Sequence, residues 1–260
     1  GIYNTLIGGL AGDALTDADE NVAVGTGALT TDTLGSKSVA VGRGALQTQN
    51  FTTATDTYNT AVGYNAGVSV TPATQNTLIG GLAGDALTTG SYNVAVGYAA
   101  LSDEDEHSGN VAVGRFALLS QNAGADAYNT AVGYDAGRNV TTGVQNTLIG
   151  AKAGDALTTG AYNTVLGYSA LSSEDTGGRS TAIGYFALSQ QNNDSDNYNV
   201  AIGHSAGESV TTGTHNVIIG GLAGDALTEG NNNVAIGYDA LGSEDLSLIH
   251  ISEPTRQAEI

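Results

Sequence analysis

A five-residue pattern recurs fourteen times along the chain, and no other feature restricts the fold as strongly. It reads Asn or Ser, Thr or Val, an apolar residue, Val, Ile or Leu, then Gly. It begins at Asn4, Asn21, Ser38, Asn59, Asn76, Asn93, Asn110, Asn129, Asn146, Asn163, Ser180, Asn199, Asn216 and Asn233. Successive starts are 17 residues apart, except for steps of 21, 19 and 19 that follow Ser38, Asn110 and Ser180. A second period lies on top: NTLIG opens a closely related segment at Asn4, Asn76 and Asn146, and NVIIG does so at Asn216, spaced 72, 70 and 70 residues. A duplicated block of four units explains both periods. Repeats of this length are the signature of a solenoid, in which each unit packs only on its neighbours.

Within a unit, the short β-branched core bounded by Gly and turn residues predicts a strand followed by a bend. The fifth position is always glycine: Gly8, Gly25, Gly42, Gly63, Gly80, Gly97, Gly114, Gly133, Gly150, Gly167, Gly184, Gly203, Gly220 and Gly237. Such a column implies a positive φ or a close approach of another backbone. A second apolar segment follows, for example Tyr98-Ala99-Ala100-Leu101, and then a polar turn. Two short strands and two bends make one coil. A coil cannot bury its own apolar side chains, so coils stack about 4.8 Å apart. Fourteen give an all-β, parallel β-solenoid on the order of 65 Å long.

Alternate residues of a strand point to opposite faces. The fourth position (Ile7, Val24, Val41, Val62) is expected to face the core. The third (Leu6, Ala23, Ala40, Ala61, Leu78, Ala95) then faces outward, yet it is never polar. Apolar residues on both faces predict that a second copy of the chain covers the outer one. The alternative is a wide monomeric solenoid whose two sheets sandwich more residues.

Composition sets limits. Of 260 residues, 38 are Gly, and there is no Cys, Met or Trp. Without a Gly-X-Y period this is not collagen. Seven Lys and Arg against 26 Asp and Glu give a net charge of −19, which argues against nucleic acid and anionic membrane surfaces as partners. The absence of Cys excludes disulfides and thiolate metal sites, and no apolar run is long enough to insert in a membrane. Gly1 and the lack of Met point to a fragment of a longer protein.

The segments NVAVGYAAL, NTAVGYNAG and TTGSYNVAVGY resemble the head repeats of trimeric autotransporter adhesins and the related repeats of phage tail fibres; the 17-residue form is more similar to the fibres. The resemblance covers residues 1–245. It implies a left-handed parallel β-roll, three chains side by side, display on a virion tail or a bacterial cell surface, and contact with a host-surface receptor or glycan. It implies no catalytic residues and no cofactor. After Glu244-Asp245 the rhythm stops. Residues 246–256 resemble a translated sequencing adapter, so 1–245 is read as the repeat domain and 246–260, with His250, as a non-native or disordered tail.

Candidate sites are few. GGLAGDALT approaches the nonapeptide of calcium-binding β-rolls, but its copies are about 70 residues apart, too far for the shared-ion geometry. Asp13, Asp85, Asp155 and Asp225 are therefore expected to make local turn hydrogen bonds. Hard cations favour clustered carboxylates, so Asp103, Asp105 and Glu106 form a weak calcium candidate. The bland reading of that run, and of residues 17–20, Glu174-Asp175 and Glu244-Asp245, is a solvated acidic turn that discourages edge-to-edge stacking. Tyr3, Tyr58, Tyr92, Tyr128, Tyr162 and Tyr198 precede the unit start, and Tyr64, Tyr98, Tyr134, Tyr168, Tyr185 and Tyr238 follow the glycine. They suit stacking between rungs, or glycan contact. The longer turns 47–57, 119–127 and 189–197 are the best places for recognition. His107, His204 and His215 show no metal-ligand spacing, and no nucleophile–base pair emerges. The function expected is a structural, attachment-related shaft; a bacterial adhesin head and a monomeric calcium- or ice-binding solenoid are the alternatives. Ice binding wants unbroken Thr rows, which Val22, Val39 and Val94 interrupt.

Overall fold

The computed structural model describes residues 1–243. Each unit core forms a three-residue strand: β1 (Thr5–Ile7), β2 (Val22–Val24), β4 (Val39–Val41), β6 (Thr60–Val62), β7 (Thr77–Ile79), β8 (Val94–Val96) and β9 (Val111–Val113). The series continues with β10 (Thr130–Val132), β11 (Thr147–Ile149), β12 (Thr164–Leu166), β13 (Thr181–Ile183), β14 (Val200–Ile202), β15 (Val217–Ile219) and β16 (Val234–Ile236). These fourteen strands form one sheet in chain order, and every pairing is parallel, with Leu6 opposite Ala23 and Ala23 opposite Ala40. The repeat is thus a parallel β-solenoid with one coil per unit. A two-rung sheet joins β3 (Gly35–Ser36) to β5 (Thr55–Asp56), and a bridge between Gly178 and Asp196 marks the same register two blocks later. No helix among the described residues is long and apolar enough to cross a membrane.

Backbone bonds run from coil to coil on both sides of the turn. Val22 N–H donates to Ser38 O at 2.9 Å, and Gly25 N–H donates to Ile7 O at 2.7 Å. On the second side Gly12 N–H reaches Ala28 O at 2.9 Å and Leu29 N–H reaches Ala45 O at 3.0 Å. The bend after the strand explains the glycine column. At Gly133 φ is 148°, and a Cβ would lie 2.4 Å from the carbonyl oxygen of Gly150 in the next coil. Two residues later the backbone turns left-handed whatever the side chain: φ is 52° at Asn65, 61° at Phe116 and 55° at Asp135. Stacking therefore overrides the local preference of residues that disfavour this region.

The faces of the strand are the reverse of the sequence expectation. The third position is the interior one: Ala23, Ala40, Ala61, Leu78, Ala95 and Ala112 are fully buried. The second and fourth positions point outward and are half-buried or exposed, with Ile149 at 36% and Leu166 at 46%. The physical reason is width. A 17-residue coil encloses room for small side chains from facing walls, so the narrow interior takes alanine and the β-branched residues go outside.

Where a coil admits one large side chain, glycines make space for it. Leu78 takes the place of an alanine, and a Cβ at Gly67 or Gly84 would lie 2.6 or 2.9 Å from its methyl carbons. Leu148 sits between Gly137 and Gly154 in the same way, at 2.6 and 2.9 Å, and Ile218 between Gly207 and Gly224. The coils of Ala23, Ala40, Ala95, Ala112 and Ala182 instead carry a buried leucine six residues on (Leu29, Leu46, Leu101, Leu118 and Leu188), whereas those of Ala61, Ala131 and Ala201, next to the large residue, have glycine there and a buried valine further on (Val70, Val140 and Val210). The four-coil block is thus a packing unit as well as a sequence unit.

This arrangement separates two kinds of glycine. Gly133→Ala combines an unfavourable φ with a backbone clash and is expected to cost roughly 3 kcal/mol or more. Gly124→Ala, at φ 69° with nothing within 4 Å of a Cβ, is expected to cost about 1–2 kcal/mol. Thermal midpoints of the two variants check this, and equal midpoints would contradict the packing argument.

Candidate functional site

The first position of each unit builds a buried amide ladder. Asn146 is almost fully buried; its Nδ2 donates to Gly160 O at 2.9 Å and its Oδ1 accepts from Asn163 N–H at 2.9 Å. The same bonds recur at Asn76, Asn93, Asn129 and Asn216. Each side chain satisfies a carbonyl of the closing turn and an amide of the next coil. Ser38 and Ser180 interrupt the ladder at the third coil of their blocks, and a buried glutamine takes over. Gln49 Nε2 reaches Ser38 Oγ at 2.9 Å and Gln191 Nε2 reaches Ser180 Oγ at 3.0 Å.

Those glutamines belong to a polar layer inside the solenoid. Eleven residues after the unit start, the side chain points inward, and the series runs Leu15, Asp32, Gln49, Val70, Leu87, Glu104, Gln121, Val140, Leu157, Glu174, Gln191, Val210. Asp32, Glu104 and Glu174 are fully buried. The acidic turns containing Glu104 and Glu174 are therefore not wholly solvated, contrary to the sequence reading. Glu244 has the same register but lies outside the described residues, as do Asp245 and the tail 246–260. The repeating order of Leu, acid, Gln and Val was legible in the sequence and signals this layer.

Two of the three carboxylates are well served. Asp32 accepts from Gln49 Nε2 at 2.6 Å, Gly35 N–H at 3.0 Å and Phe51 N–H at 3.2 Å. Glu174 accepts from Gly177 N–H at 2.8 Å, Asn197 Nδ2 at 2.9 Å and Gln191 Nε2 at 3.0 Å. Glu104 differs. Its Oε1 accepts from His107 Nδ1 at 2.8 Å, His107 N–H at 3.1 Å and Asp105 N–H at 3.1 Å, while its Oε2 is buried without a partner. Burial pushes the Glu104 carboxyl above its ordinary value, against the opposing pull of His107.

Among the described residues, Glu104, Asp105 and His107 form a group whose ligating atoms lie within 4.8 Å of one another. The grouping is not the expected Asp103, Asp105 and Glu106. Asp103 belongs to a different site: burial and the neighbouring Asp85 push its carboxyl up, and Glu106 is exposed at the turn. Nor do the four aspartates of the GDALT segments share one turn pattern. Asp85 accepts from Ser102 Oγ in the next coil, whereas Asp155 and Asp225 each leave a buried Oδ1 without a partner. Burial drives the Asp155 carboxyl up, partly countered by Lys152.

The outer surface beside the strands carries the aromatic columns. Tyr168 stacks on Tyr185 at 5.4 Å between centroids, Tyr185 on His204 at 5.1 Å, and Tyr198 on His215 at 5.2 Å. Arg115 lies 3.8 Å over the Phe116 ring and donates to Tyr134 Oη at 3.1 Å. Lys37 pairs with Asp56 at 2.6 Å and Arg179 with Asp196 at 2.7 Å, in the same register of two blocks. The hydrogen bond to Asp56 raises the Lys37 ammonium pKa. The longer turns are anchored rather than free, because Gln49, Gln121 and Gln191 at their starts are buried.

No family model, curated protein or solved structure matches this chain.

The ladder makes a testable statement. Asn146→Ala leaves Gly160 O and Asn163 N–H buried without these partners, and should cost roughly 2–4 kcal/mol. The thermal midpoint is expected to fall and exchange of the Asn163 amide proton to accelerate. An unchanged exchange rate would show the ladder to be dispensable.

Proposed function

We propose that the chain is a shaft or head segment of a homotrimeric extracellular fibre, carried on a viral tail or a bacterial surface and concerned with attachment. The carrying observation is the composition of the outward strand face. The first six positions of all fourteen units contain no Asp or Glu, although the chain holds 26. The outward positions among them supply Thr or Val, then Val, Ile or Leu, then often Tyr, with Arg43 and Arg115 the only Lys or Arg.

A chain with a net charge of −19 repels its own copies everywhere except along such a stripe. Charge depletion with aromatic and Arg enrichment is the composition of an interface core. With a rung spacing of about 4.8 Å the stripe is roughly 60 Å long and about 15 Å wide, or near 900 Å². That meets the roughly 800 Å² per partner of a stable interface. Left in water, an apolar patch of this size would be unusual for a monomer. The resemblance to fibre and adhesin repeats supplies the number three and the left-handed winding.

In this reading the rod has a mechanical role and no catalytic one, and neither metal nor cofactor is needed for it. The exposed acidic residues lie outside the strand rows that make the stripe, and the longer turns 47–57, 119–127 and 189–197 lie at corresponding corners where a host receptor or glycan would be met.

Light scattering after size exclusion tests the assembly. The expected mass is three times 26.0 kDa. The double variant Val113→Glu, Ile149→Glu places two carboxylates on the stripe and is expected to reduce the particle to single chains. A folded wild-type monomer of 26.0 kDa would overturn the fibre reading and favour a monomeric ligand-binding solenoid.

A further inference from the structure

We propose that the second four-coil block holds a divalent transition-metal ion, of the zinc class, on Glu104, Asp105 and His107. This block differs from its two siblings around the buried acid. In the first and third blocks the residue three after the buried acid is glycine, Gly35 or Gly177, and it offers only an amide. In the second block that residue is His107, whose Nδ1 lies 2.8 Å from Glu104 Oε1 and 4.0 Å from Asp105 Oδ1. The imidazole is only 13% exposed.

The donors that complete the sibling carboxylates are also gone. Asn197, which donates to Glu174 Oε2 at 2.9 Å, corresponds to the buried Ala127. A Cβ at Gly177 would lie 2.3 Å from Asn197 Nδ2, so Ala127 makes the room that the larger His107 requires. Gln121, the counterpart of Gln49 and Gln191, turns its Nε2 to Thr141 O at 3.0 Å. Glu104 Oε2 is left fully buried and without a partner. A buried, unpaired carboxylate oxygen is expensive unless an ion or donor meets it.

Two substitutions and the reorientation of Gln121 thus remove hydrogen-bond donors and add an imidazole at one point. One imidazole and two carboxylates suit zinc and its neighbours, and two negative charges balance a divalent ion. In tetrahedral geometry, ligand atoms bonded at about 2.0–2.1 Å stand about 3.3 Å apart. The His107–Glu104 pair has to open by about half an ångström from hydrogen-bond contact to reach that. Asp105, 44% exposed, sits at the mouth and leaves a path for entry.

Calorimetric titration of the full chain with zinc chloride, and the visible absorption of the cobalt(II) form, test the assignment. One ion per chain is expected, with a raised thermal midpoint and a cobalt spectrum of low coordination number. His107→Gly restores the residue of the sibling blocks and so preserves the fold. It is expected to weaken binding by at least about tenfold, as is Glu104→Gln. Because His107→Gly keeps every carboxylate, it also isolates this site from ions held loosely at exposed acidic turns. No binding by the wild type, or titrations identical in the wild type and the His107→Gly protein, would overturn the proposal.

Discussion

The distance between successive coils, set where backbone meets backbone at the glycine column, is the constraint on which the rest depends. With a Cβ at Gly25 only 2.5 Å from the carbonyl oxygen of Gly42, no other residue fits without pushing the coils apart. Spread coils would lose the parallel ladder on one side and the asparagine ladder on the other, since both use donors and acceptors one coil away. Hydrophobic burial cannot compensate, because most of the interior consists of alanine, which removes little apolar area per residue. The fold therefore relies on hydrogen-bond satisfaction and close packing repeated at every rung. That explains why side chains as unfavourable at positive φ as Leu118 and Phe116 are held there.

The architecture was legible because its signal is summed over fourteen copies: the core strand, bend, coil count and block structure all follow from spacing, whereas the second strand expected in each coil, as at residues 98–101, is a turn. The orientation of the strand was not, and the reason is specific. Both strand faces are apolar, so alternation names two faces without saying which is inside, and the usual rule that larger apolar residues go inward fails in a coil this narrow. Size complementarity held the answer. Leu78 and Leu148 in place of alanine are accompanied by Gly84 and Gly154 six residues later, whereas Ala23 and Ala40 are accompanied by Leu29 and Leu46. Only inward-facing positions trade volume in this way. The candidate metal group was missed for a related reason. Adjacency in an acidic run suggested Asp103, Asp105 and Glu106, but burial singles out Glu104, and only comparison with Asp32 and Glu174 shows that it belongs to an interior layer.

The orientation of the strand decides what the outer face offers to the proposed self-association. Alanines on an outer face would have offered a thin contact. Instead two rows of Thr, Val, Ile and Leu, bordered by tyrosine and two arginines, lie outside along the length of the sheet. Apart from the interior Asp32, Glu104 and Glu174, the acidic side chains lie in the turns and outside the strand rows, which keeps like charges out of the strip that a second copy would cover. Partition of charge and apolar area along one axis of the coil is what a fibre requires: strong lateral contact in one direction, repulsion in every other.

Stacked repeats also tolerate local invention, because each coil contacts only its neighbours. A substitution in one coil is read by two others and by nothing beyond them. The second block illustrates the consequence: glycine becomes His107, and the residue that would collide with it becomes Ala127. The flanking strands β8 and β9 keep the register found elsewhere, Ala95 opposite Ala112. In a globular domain, leaving a carboxylate such as Glu104 half-satisfied in the interior would perturb a shared core. Here the cost falls on one rung, and a bound cation would remove it without change to the other thirteen. The same locality that lets the blocks lengthen by duplication lets a single block acquire chemistry of its own.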